Sequence, residues 1–145
     1  MATAAGGALN NTDKYAIHFP VTGEPAMERV QFIQHKGKKI LHLNFADCTA
    51  DEVLMIIDQA KAAIRTQAQQ SMLTLTDVTN TAFNSKVSDA MKEFVVHNKP
   101  YVVASAVVGV TGLKQIIYNA VMKFSGRKLT AFDSLAEAKD WIAER

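Results

Sequence analysis

A glycine-rich turn near the middle of the chain has the residue types of an anion-binding site. Gly109-Val110-Thr111-Gly112 precedes a predicted helix, and Lys114 lies in the first turn of that helix. Backbone N–H groups at a helix start, the positive end of the helix dipole and a lysine together can hold an anion. The spacing is neither that of a Walker loop nor that of a dinucleotide fingerprint. The alternative is a tight strand-to-helix turn in which the glycines only meet steric needs.

A second candidate site lies at the start of the preceding predicted helix, at Asn84 and Ser85. A hydroxyl at a helix N-terminus has backbone N–H groups near it, so a phosphate there would be tolerated and would add a charge of about −1.5 to −2. On a partner-binding surface, that charge would repel or recruit a partner. The alternative is that Asn84 or Ser85 serves only as the N-cap of the helix.

The histidines and the cysteine of this sequence do not form a catalytic or metal-binding pattern. The four histidines lack i, i+4 spacing: His18, His35, His42 and His97. The one cysteine, Cys48, cannot build a thiolate zinc site, and it has no histidine beside it in sequence, which favours an inert small residue. We therefore predict no catalytic, metal or cofactor site, and a protein that is not an enzyme.

The composition is that of a globular domain. The chain has 145 residues, of which 48% are hydrophobic and 21% charged, so bulk disorder, collagen and coiled coil are excluded as classes. The 16 basic and 14 acidic residues give a net charge of +2, which is too small to indicate nucleic-acid binding. No run approaches the roughly 18 apolar residues of a membrane span, and the N-terminus lacks a secretory signal pattern. We therefore expect a cytoplasmic protein that is not an integral membrane protein.

The small net charge conceals an uneven distribution. The stretch between Phe94 and Phe132 contains no acid but five basic residues: Lys99, Lys114, Lys123, Arg127 and Lys128. Such a surface would suit anionic lipid headgroups or an acidic partner. We predict no nucleic-acid partner, because no aromatic residue alternates with these lysines as a stacking platform requires. A solvated helix face is the alternative explanation of the lysines.

Residues 1–27 differ from the rest of the chain. They are small and polar and lack a hydrophobic period, so we predict a flexible N-terminal arm followed by a single domain at 28–145. One alternating apolar patch lies in this arm, at Tyr15, Ile17 and Phe19. The patch would dock on the domain or on a second copy of the chain, and in the second case a homodimer would form. The alternative is that the arm is only a disordered extension.

From residue 28 onward the hydrophobic pattern is regular. Two alternating runs around Lys36-Gly37-Lys38 predict a β-hairpin, and Thr49 with Glu52 forms a capping box for a helix that we expect to reach about Gln69. The next elements are a strand at 72–78, a helix from Asn84 or Ser85, a strand at 101–110, a helix capped by Thr111, a strand at 128–132 and a helix capped by Ser134. In the third helix, six apolar residues fit the helical period without a gap: Leu113, Ile116, Ile117, Ala120, Val121 and Phe124.

The predicted element order is β-β-α-β-α-β-α-β-α. Alternating strands and helices with short links indicate an α/β fold with a five-stranded mixed sheet, largely parallel and with one antiparallel edge from the hairpin. Polar residues alternate in two strands: His42 and Asn44 in one, Thr74 and Thr76 in the other. Strands covered on both faces are unbroken apolar runs instead. We therefore predict a one-sided β/α superhelix with helices mainly on one face and a partly polar second face.

This element order and several stretches of sequence resemble the STAS and SpoIIAA-like family, whose fold also occurs in CRAL-TRIO lipid-binding domains. The likeness is to bacterial stand-alone STAS/CRAL-TRIO-like proteins, and it is strongest over residues 98–142, which include GVTGL, SGRKL and FDSLAEAKDWI. It implies a SpoIIAA-like fold over about 28–143. It is weak for function, because one fold hosts many activities.

The resemblance also implies a switch loop. Anti-sigma factor antagonists of the STAS family carry a phosphorylatable serine after the middle strand, in a loop of the form D-L-S…D-S-S-G. Asp77-Val78-Thr79 stands where D-L-S would, and Asn84-Ser85 falls near the D-S pair, followed by Lys86-Val87 in place of S-G. By this resemblance, Ser85 is the candidate switch serine and loop 79–86 the candidate partner site.

Two functions follow as expectations. The first is a non-enzymatic regulatory module of the anti-sigma factor antagonist type, which would bind a protein partner through loop 79–86. The second is a small-ligand or lipid-binding domain of the CRAL-TRIO-like type. It would bind a lipid or a small anionic ligand at the open sheet face or in an apolar groove beneath the third helix.

Overall fold

The computed structural model describes residues 28–145, so the predicted arm at 1–27 and its apolar patch lie outside the described residues. The strands are β1 (Val30–His35), β2 (Lys38–Asn44), β3 (Met72–Asp77), β4 (Val102–Val108) and β5 (Thr130–Phe132). The helices are α1 (Ala50–Arg65), α2 (Ser85–Asn98), α3 (Lys114–Ser125) and α4 (Leu135–Ala143). The elements follow one another in the predicted order.

The sheet is mixed, and its strands lie in chain order from β1 to β5. β1 and β2 pair antiparallel around the turn at Lys36 and Gly37, and the other neighbouring strands pair parallel. Both turn residues have positive φ, a backbone conformation that suits a tight hairpin. The predicted α/β fold with a five-stranded mixed sheet is confirmed, and this architecture is consistent with the SpoIIAA-like type.

Helices α1, α2 and α3 cover one face of the sheet, and α4 covers the other. Neighbouring residues of β2 show the two faces: Leu41 joins the large core beneath the first three helices, whereas Ile40 joins a smaller core with Ala138 and Ile142 of α4. Successive side chains of a strand point to opposite faces, so this alternation follows from the pleat. Helices therefore lie mainly on one face, as predicted.

The polar residues that predicted a partly polar second face divide between the two faces of the sheet. His42 of β2 lies on the α4 side, because its register partner is Leu75, which packs in the core with α4. Thr74 and Thr76 lie on the same side as α2 and α3, where they line a cavity, and not on an open face. The opposite face carries Leu73 and Leu75 from the same strand, and these pack against α4. The second face is therefore partly polar through β2, as predicted, but not through the threonines of β3.

Two helices begin as the sequence predicts. The amide of Glu52 donates to Thr49 Oγ1 over 3.3 Å and the amide of Thr49 donates to Glu52 Oε1 over 2.8 Å, which forms the capping box of α1. The amide of Glu137 donates to Ser134 Oγ over 3.2 Å at the start of α4. Helix α1 ends at Arg65, about one turn before the predicted end.

Helix α3 buries less of its apolar surface than its sequence pattern indicates. Val121 and Ser125 are its buried residues. Leu113, which precedes the helix, and Ile116 and Phe124 within it are 80%, 66% and 61% exposed. Its apolar residues therefore divide into an inner stripe that faces the sheet and an outer stripe that faces solvent. None of the helices in residues 28–145 has the length and apolar content that crossing a bilayer requires.

Candidate ligand-binding site

A cavity lies between the sheet and helices α2 and α3. Its volume is about 680 Å³, counted with the part that opens to solvent. Most of its lining is apolar: Leu43, Val78, Phe83, Met91, Phe94, Val95, Val107, Val110, Ile117, Val121 and Leu129. Because it lies beneath α3, this cavity occupies the place where the sequence indicates an apolar groove.

The cavity exists because small strand residues face a helix that sits only partly on the sheet. Thr74 of β3 and Ser105 of β4 occupy the floor, where larger apolar residues would fill the space. Above them, α3 contributes Ile117 and Tyr118, which are only half-buried. Protein interiors are normally close-packed, so a gap between a sheet and the helices that cover it is not the ordinary result of core packing.

Three polar side chains form a chain of hydrogen bonds in this cavity. Thr74 and Ser105 are register partners in adjacent parallel strands, and their hydroxyl oxygens lie 2.7 Å apart. They are only 4% and 5% exposed. Nη2 of Arg127 donates to Ser105 Oγ over 2.9 Å, and Nη1 donates to the carbonyl oxygen of Val95 in α2 over 3.4 Å. The guanidinium thus joins the segment after α3 to both β4 and α2.

Arg127 is directed into the cavity by the end of α3. Gly126 ends the helix in the left-handed conformation, with a φ of 70°, and the amide of Arg127 then donates to Ser125 Oγ over 3.2 Å. Burial lowers the pKa of the Arg127 guanidinium from its ordinary value. The side chain nevertheless keeps its charge, because an arginine is not deprotonated in a protein.

A second cation reaches the cavity from the other end of α3. Nζ of Lys114 donates to the carbonyl oxygen of Val78 over 3.1 Å. The part of the lining that residues 28–145 form contains Lys114 and Arg127 but no aspartate or glutamate. Within the described part of the chain, neither cation forms an ion pair with a carboxylate. The cavity is therefore apolar over most of its surface and positively charged at two places.

The two predicted sites are brought together at the carboxyl ends of β3 and β4. Gly109 has a φ of +92°, and a Cβ added to it would lie 2.5 Å from Oγ1 of Thr79 and 2.6 Å from its amide nitrogen. The loop after β3 and the turn after β4 are therefore in direct contact. Lys114 strengthens this junction through its bond to Val78.

The loop after β3 is held by its own polar side chains. Oδ1 of Asp77 accepts a hydrogen bond from the amide of Thr79 over 2.9 Å. Nδ2 of Asn80 donates to Oδ1 of Asp47 over 2.8 Å, which ties this loop to the one after β2. Asn80 and Asp47 both have positive φ, a conformation that asparagine and aspartate adopt more readily than other side chains. Asp77 thus shapes the loop, and Thr79 is exposed on it.

Asn84, and not Ser85, is the N-cap of α2. The amide of Val87 donates to Oδ1 of Asn84 over 2.8 Å, and Ser85 is the first residue of the helix. Ser85 is exposed, and its hydroxyl has no hydrogen bond to any of residues 28–145. The hydroxyl is therefore not required for capping.

The turn before α3 differs from the prediction in its cap. The helix begins at Lys114, and Leu113 is its N-cap with no side-chain hydrogen bond, so Thr111 does not cap it. The amides of Lys114 and Gln115 donate to the carbonyl oxygens of Thr111 and Gly112, each over 3.1 Å. The Lys114 amide of the predicted anion cradle therefore already has an acceptor within the turn. That an anion binds at Gly109, Thr111, Gly112 and Lys114 stays a prediction.

Cys48 lies in the core and outside the cavity lining. Burial raises the pKa of its thiol, with smaller contributions from neighbouring charges, which disfavours the nucleophilic thiolate. Among residues 28–145, no group of three histidine, cysteine, aspartate or glutamate side chains is arranged to hold a metal ion.

Sequence reasoning did not identify the polar centre of the cavity. Arg127 was predicted only as one of the basic residues of a surface, and Ser105 was not singled out. The available signal was the presence of small hydroxyl residues in two neighbouring strands, Thr74 in β3 and Ser105 in the otherwise apolar β4. Their pairing depends on the strand register, which the sequence alone does not determine.

Comparisons of the chain with protein-family models, with curated proteins and with solved structures find no match. Beyond the α/β fold, the resemblance to the STAS and SpoIIAA-like family therefore stays a prediction.

Proposed function

We propose that this protein binds a small, largely apolar molecule in the cavity between the sheet and helices α2 and α3. The observation that carries the proposal is a cavity, partly open to solvent, whose lining is mainly apolar and includes a few polar groups. Binding sites for small molecules usually have a lining of this kind.

The lining supports binding and not catalysis. It includes no carboxylate, imidazole or thiol from residues 28–145. The hydroxyls of Thr74 and Ser105 are bonded to each other, and the further partner of Ser105 is Arg127, which is a donor and not a base. A serine or threonine nucleophile needs an adjacent general base. We therefore propose a binding protein without enzymatic activity.

The test uses a neutral fluorescent probe, N-phenyl-1-naphthylamine, whose emission rises in apolar surroundings. We expect the full chain to bind it at one site. Ile117 lines the cavity, so Ile117→Trp places a larger ring in that space and should weaken probe binding about tenfold or more. The matched control is Ile116→Trp, because Ile116 is 66% exposed and does not line the cavity.

The two variants separate cavity binding from binding to the exposed stripe of α3. Unchanged affinity in Ile117→Trp, together with loss in Ile116→Trp, would place the probe on the outer surface and contradict the proposal. Absence of probe binding to the wild-type protein would contradict it as well. Circular dichroism of both variants establishes that they are folded.

Ser85 supports a second candidate function, a regulatory switch that is set by phosphorylation. Because Asn84 caps α2, the exposed hydroxyl of Ser85 is available for modification without loss of the cap. A phosphate at the first helical position would lie close to the positive end of the helix dipole. We propose that such a phosphate would change how a protein partner recognises loop 79–86.

This second candidate is tested by intact-mass measurement of the full chain purified from its native host in growing and in starved cells. We expect a species heavier by one phosphate that disappears in Ser85→Ala. Ser88→Ala is the control, because Ser88 belongs to the same helix. A phosphate that persists in Ser85→Ala, or none in either condition, would contradict the switch.

A further inference from the structure

Among residues 28–145, Arg127 is the one guanidinium that lines the cavity, and its environment is unusual for a charged group. Its side chain is partly buried, and the hydrogen-bond acceptors that it has are Ser105 Oγ and the carbonyl oxygen of Val95. Both acceptors are uncharged. A guanidinium has five N–H donors, so further donors remain for another partner.

The charge of Arg127 is not neutralised by the described protein. None of the carboxylates in residues 28–145 forms an ion pair with it. Placing a charge in apolar surroundings costs free energy unless an opposite charge accompanies it. The same burial lowers the pKa of the guanidinium, which is the expected sign for a cation that lacks a counter-ion. An anionic group in the cavity would remove this cost.

We propose that the ligand of this cavity is an amphipathic monocarboxylate, whose carboxylate binds Arg127 and whose apolar chain lies against Ile117 and Val107; this inference rests on the proposed ligand-binding function. A planar carboxylate matches the fork of a guanidinium and accepts two parallel hydrogen bonds from it. Ser105 holds the guanidinium from one side, which fixes its orientation before the ligand binds.

The arrangement of cations favours one negative charge over two. Lys114 is the first residue of α3, whereas Arg127 follows the last residue, Ser125, by two positions. Their cations bond four residues apart along the sheet, Lys114 to Val78 and Arg127 to Ser105, the register partner of Thr74, which corresponds to about 13 Å along a strand. An anionic group bound at Arg127 therefore meets one cation only. A phosphate monoester carries two negative charges, so it would be only half neutralised there. The ligand class that fits is the carboxylate of a chain molecule.

The experiment compares two molecules that share one apolar chain, decanoate and 1-decanol, in displacement of N-phenyl-1-naphthylamine from the full chain at about pH 8. We expect decanoate to bind about tenfold to a hundredfold more tightly than 1-decanol, which is the usual contribution of a charge-assisted bidentate pair. Decyl phosphate should bind more weakly than decanoate.

Variants then assign the difference to Arg127. In Arg127→Met the preference for decanoate should vanish while 1-decanol binds as before. Arg127→Lys keeps the charge but loses the planar fork, so part of the preference should remain. Lys128→Met is the control, because Lys128 is the adjacent cation but is exposed. A purely structural role of Arg127 would lower the stability of these variants without changing the ratio of the two affinities.

The outcomes are distinguishable even if Arg127→Met does not fold, because the wild-type comparison needs no variant. Equal affinities for decanoate and 1-decanol would overturn this inference and leave the proposed binding function standing. Tighter binding of decyl phosphate than of decanoate would overturn the assignment to a carboxylate. Failure of both chain molecules to displace the probe would contradict the proposed function itself.

Discussion

The hydroxyl oxygens of Thr74 and Ser105 lie 2.7 Å apart on the face of the sheet that α2 and α3 cover. The two residues are register partners in β3 and β4, and both are almost fully buried. Ser105 also accepts a hydrogen bond from Arg127. This pair therefore places two hydroxyl groups in an apolar cavity. It also connects the sheet to Arg127, which we propose binds the carboxylate of the ligand.

Removal of the Ser105 hydroxyl should destabilise the protein more than removal of the Thr74 hydroxyl. Ser105→Ala leaves the Thr74 hydroxyl without a partner and Arg127 with only the carbonyl oxygen of Val95, so we expect a loss of about 2–3 kcal/mol in the free energy of unfolding. Thr74→Val leaves the bond between Ser105 and Arg127 in place and should cost only about 1 kcal/mol. Urea denaturation of both variants measures the difference. A larger loss in Thr74→Val than in Ser105→Ala would show that Arg127 does not depend on Ser105.

Substitution of Gly109 should be much more damaging than substitution of Gly112. Both glycines have positive φ, so alanine is strained at either position. At Gly109 the added Cβ would also lie 2.6 Å from the backbone nitrogen of Thr79, whereas nothing lies within 4 Å of it at Gly112. We expect a loss of about 1 kcal/mol for Gly112→Ala and more than about 3 kcal/mol for Gly109→Ala. Equal thermal unfolding temperatures of the two variants would contradict the close contact.

The N-cap of α2 provides a matched pair of neighbouring substitutions. Asn84→Ala removes the side-chain acceptor of the Val87 amide, so we expect a loss of about 1 kcal/mol. Ser85→Ala removes an exposed hydroxyl with no hydrogen bond to the described residues, and the free energy of unfolding should change by less than about 0.5 kcal/mol. Chemical denaturation distinguishes the two. The reverse order of effects would mean that Ser85 is the cap.

His42 should make the fold less stable in mild acid. Burial lowers the pKa of His42 below its ordinary value of 6.5; the charge of Asp77 raises it by a smaller amount, and the charge of Lys139 lowers it slightly further. Its Nε2 is buried without a hydrogen-bond partner in residues 28–145. The unfolded chain therefore takes up a proton at a higher pH than the native protein, and stability falls as the pH drops below about 6.5.

The measurement for His42 is the urea midpoint at about pH 7.5 and pH 5.5. The wild-type midpoint should fall between these values, and His42→Leu should show a smaller fall because the titrating group is gone. If the wild-type protein and the variant lose the same amount of stability, His42 is not the group responsible.

The fold was largely predictable from local patterns, because those patterns have local causes. The capping box at Thr49 and Glu52 and the cap at Ser134 are formed by residues three apart, and each appears where it was predicted. Hydrophobic periodicity likewise marked every element in its order. The position of α4 could not be predicted in this way. Alternation in a strand shows that the two faces of the sheet differ, but it does not show which helices cover each face.

The cavity depends on relationships that local patterns do not contain. The period of α3 predicted its apolar residues but not that Ile116 and Phe124 would face solvent, since both stripes of this helix are apolar. Arg127 and Ser105 are 22 residues apart and meet only once α3 and β4 are packed together. From the sequence alone, Arg127 in the cavity therefore could not be distinguished from an exposed basic residue.

The measurement that tests the central claim most directly is a methyl ¹H–¹³C NMR titration of the full chain with 1-decanol. We predict that the methyl resonances of Ile117 and Val107, which line the cavity, shift progressively and saturate. Ile40 and Ile142 belong to the core on the opposite face of the sheet and should not move. An unchanged spectrum, or shifts confined to Ile116 and other exposed methyl groups, would contradict binding in the cavity.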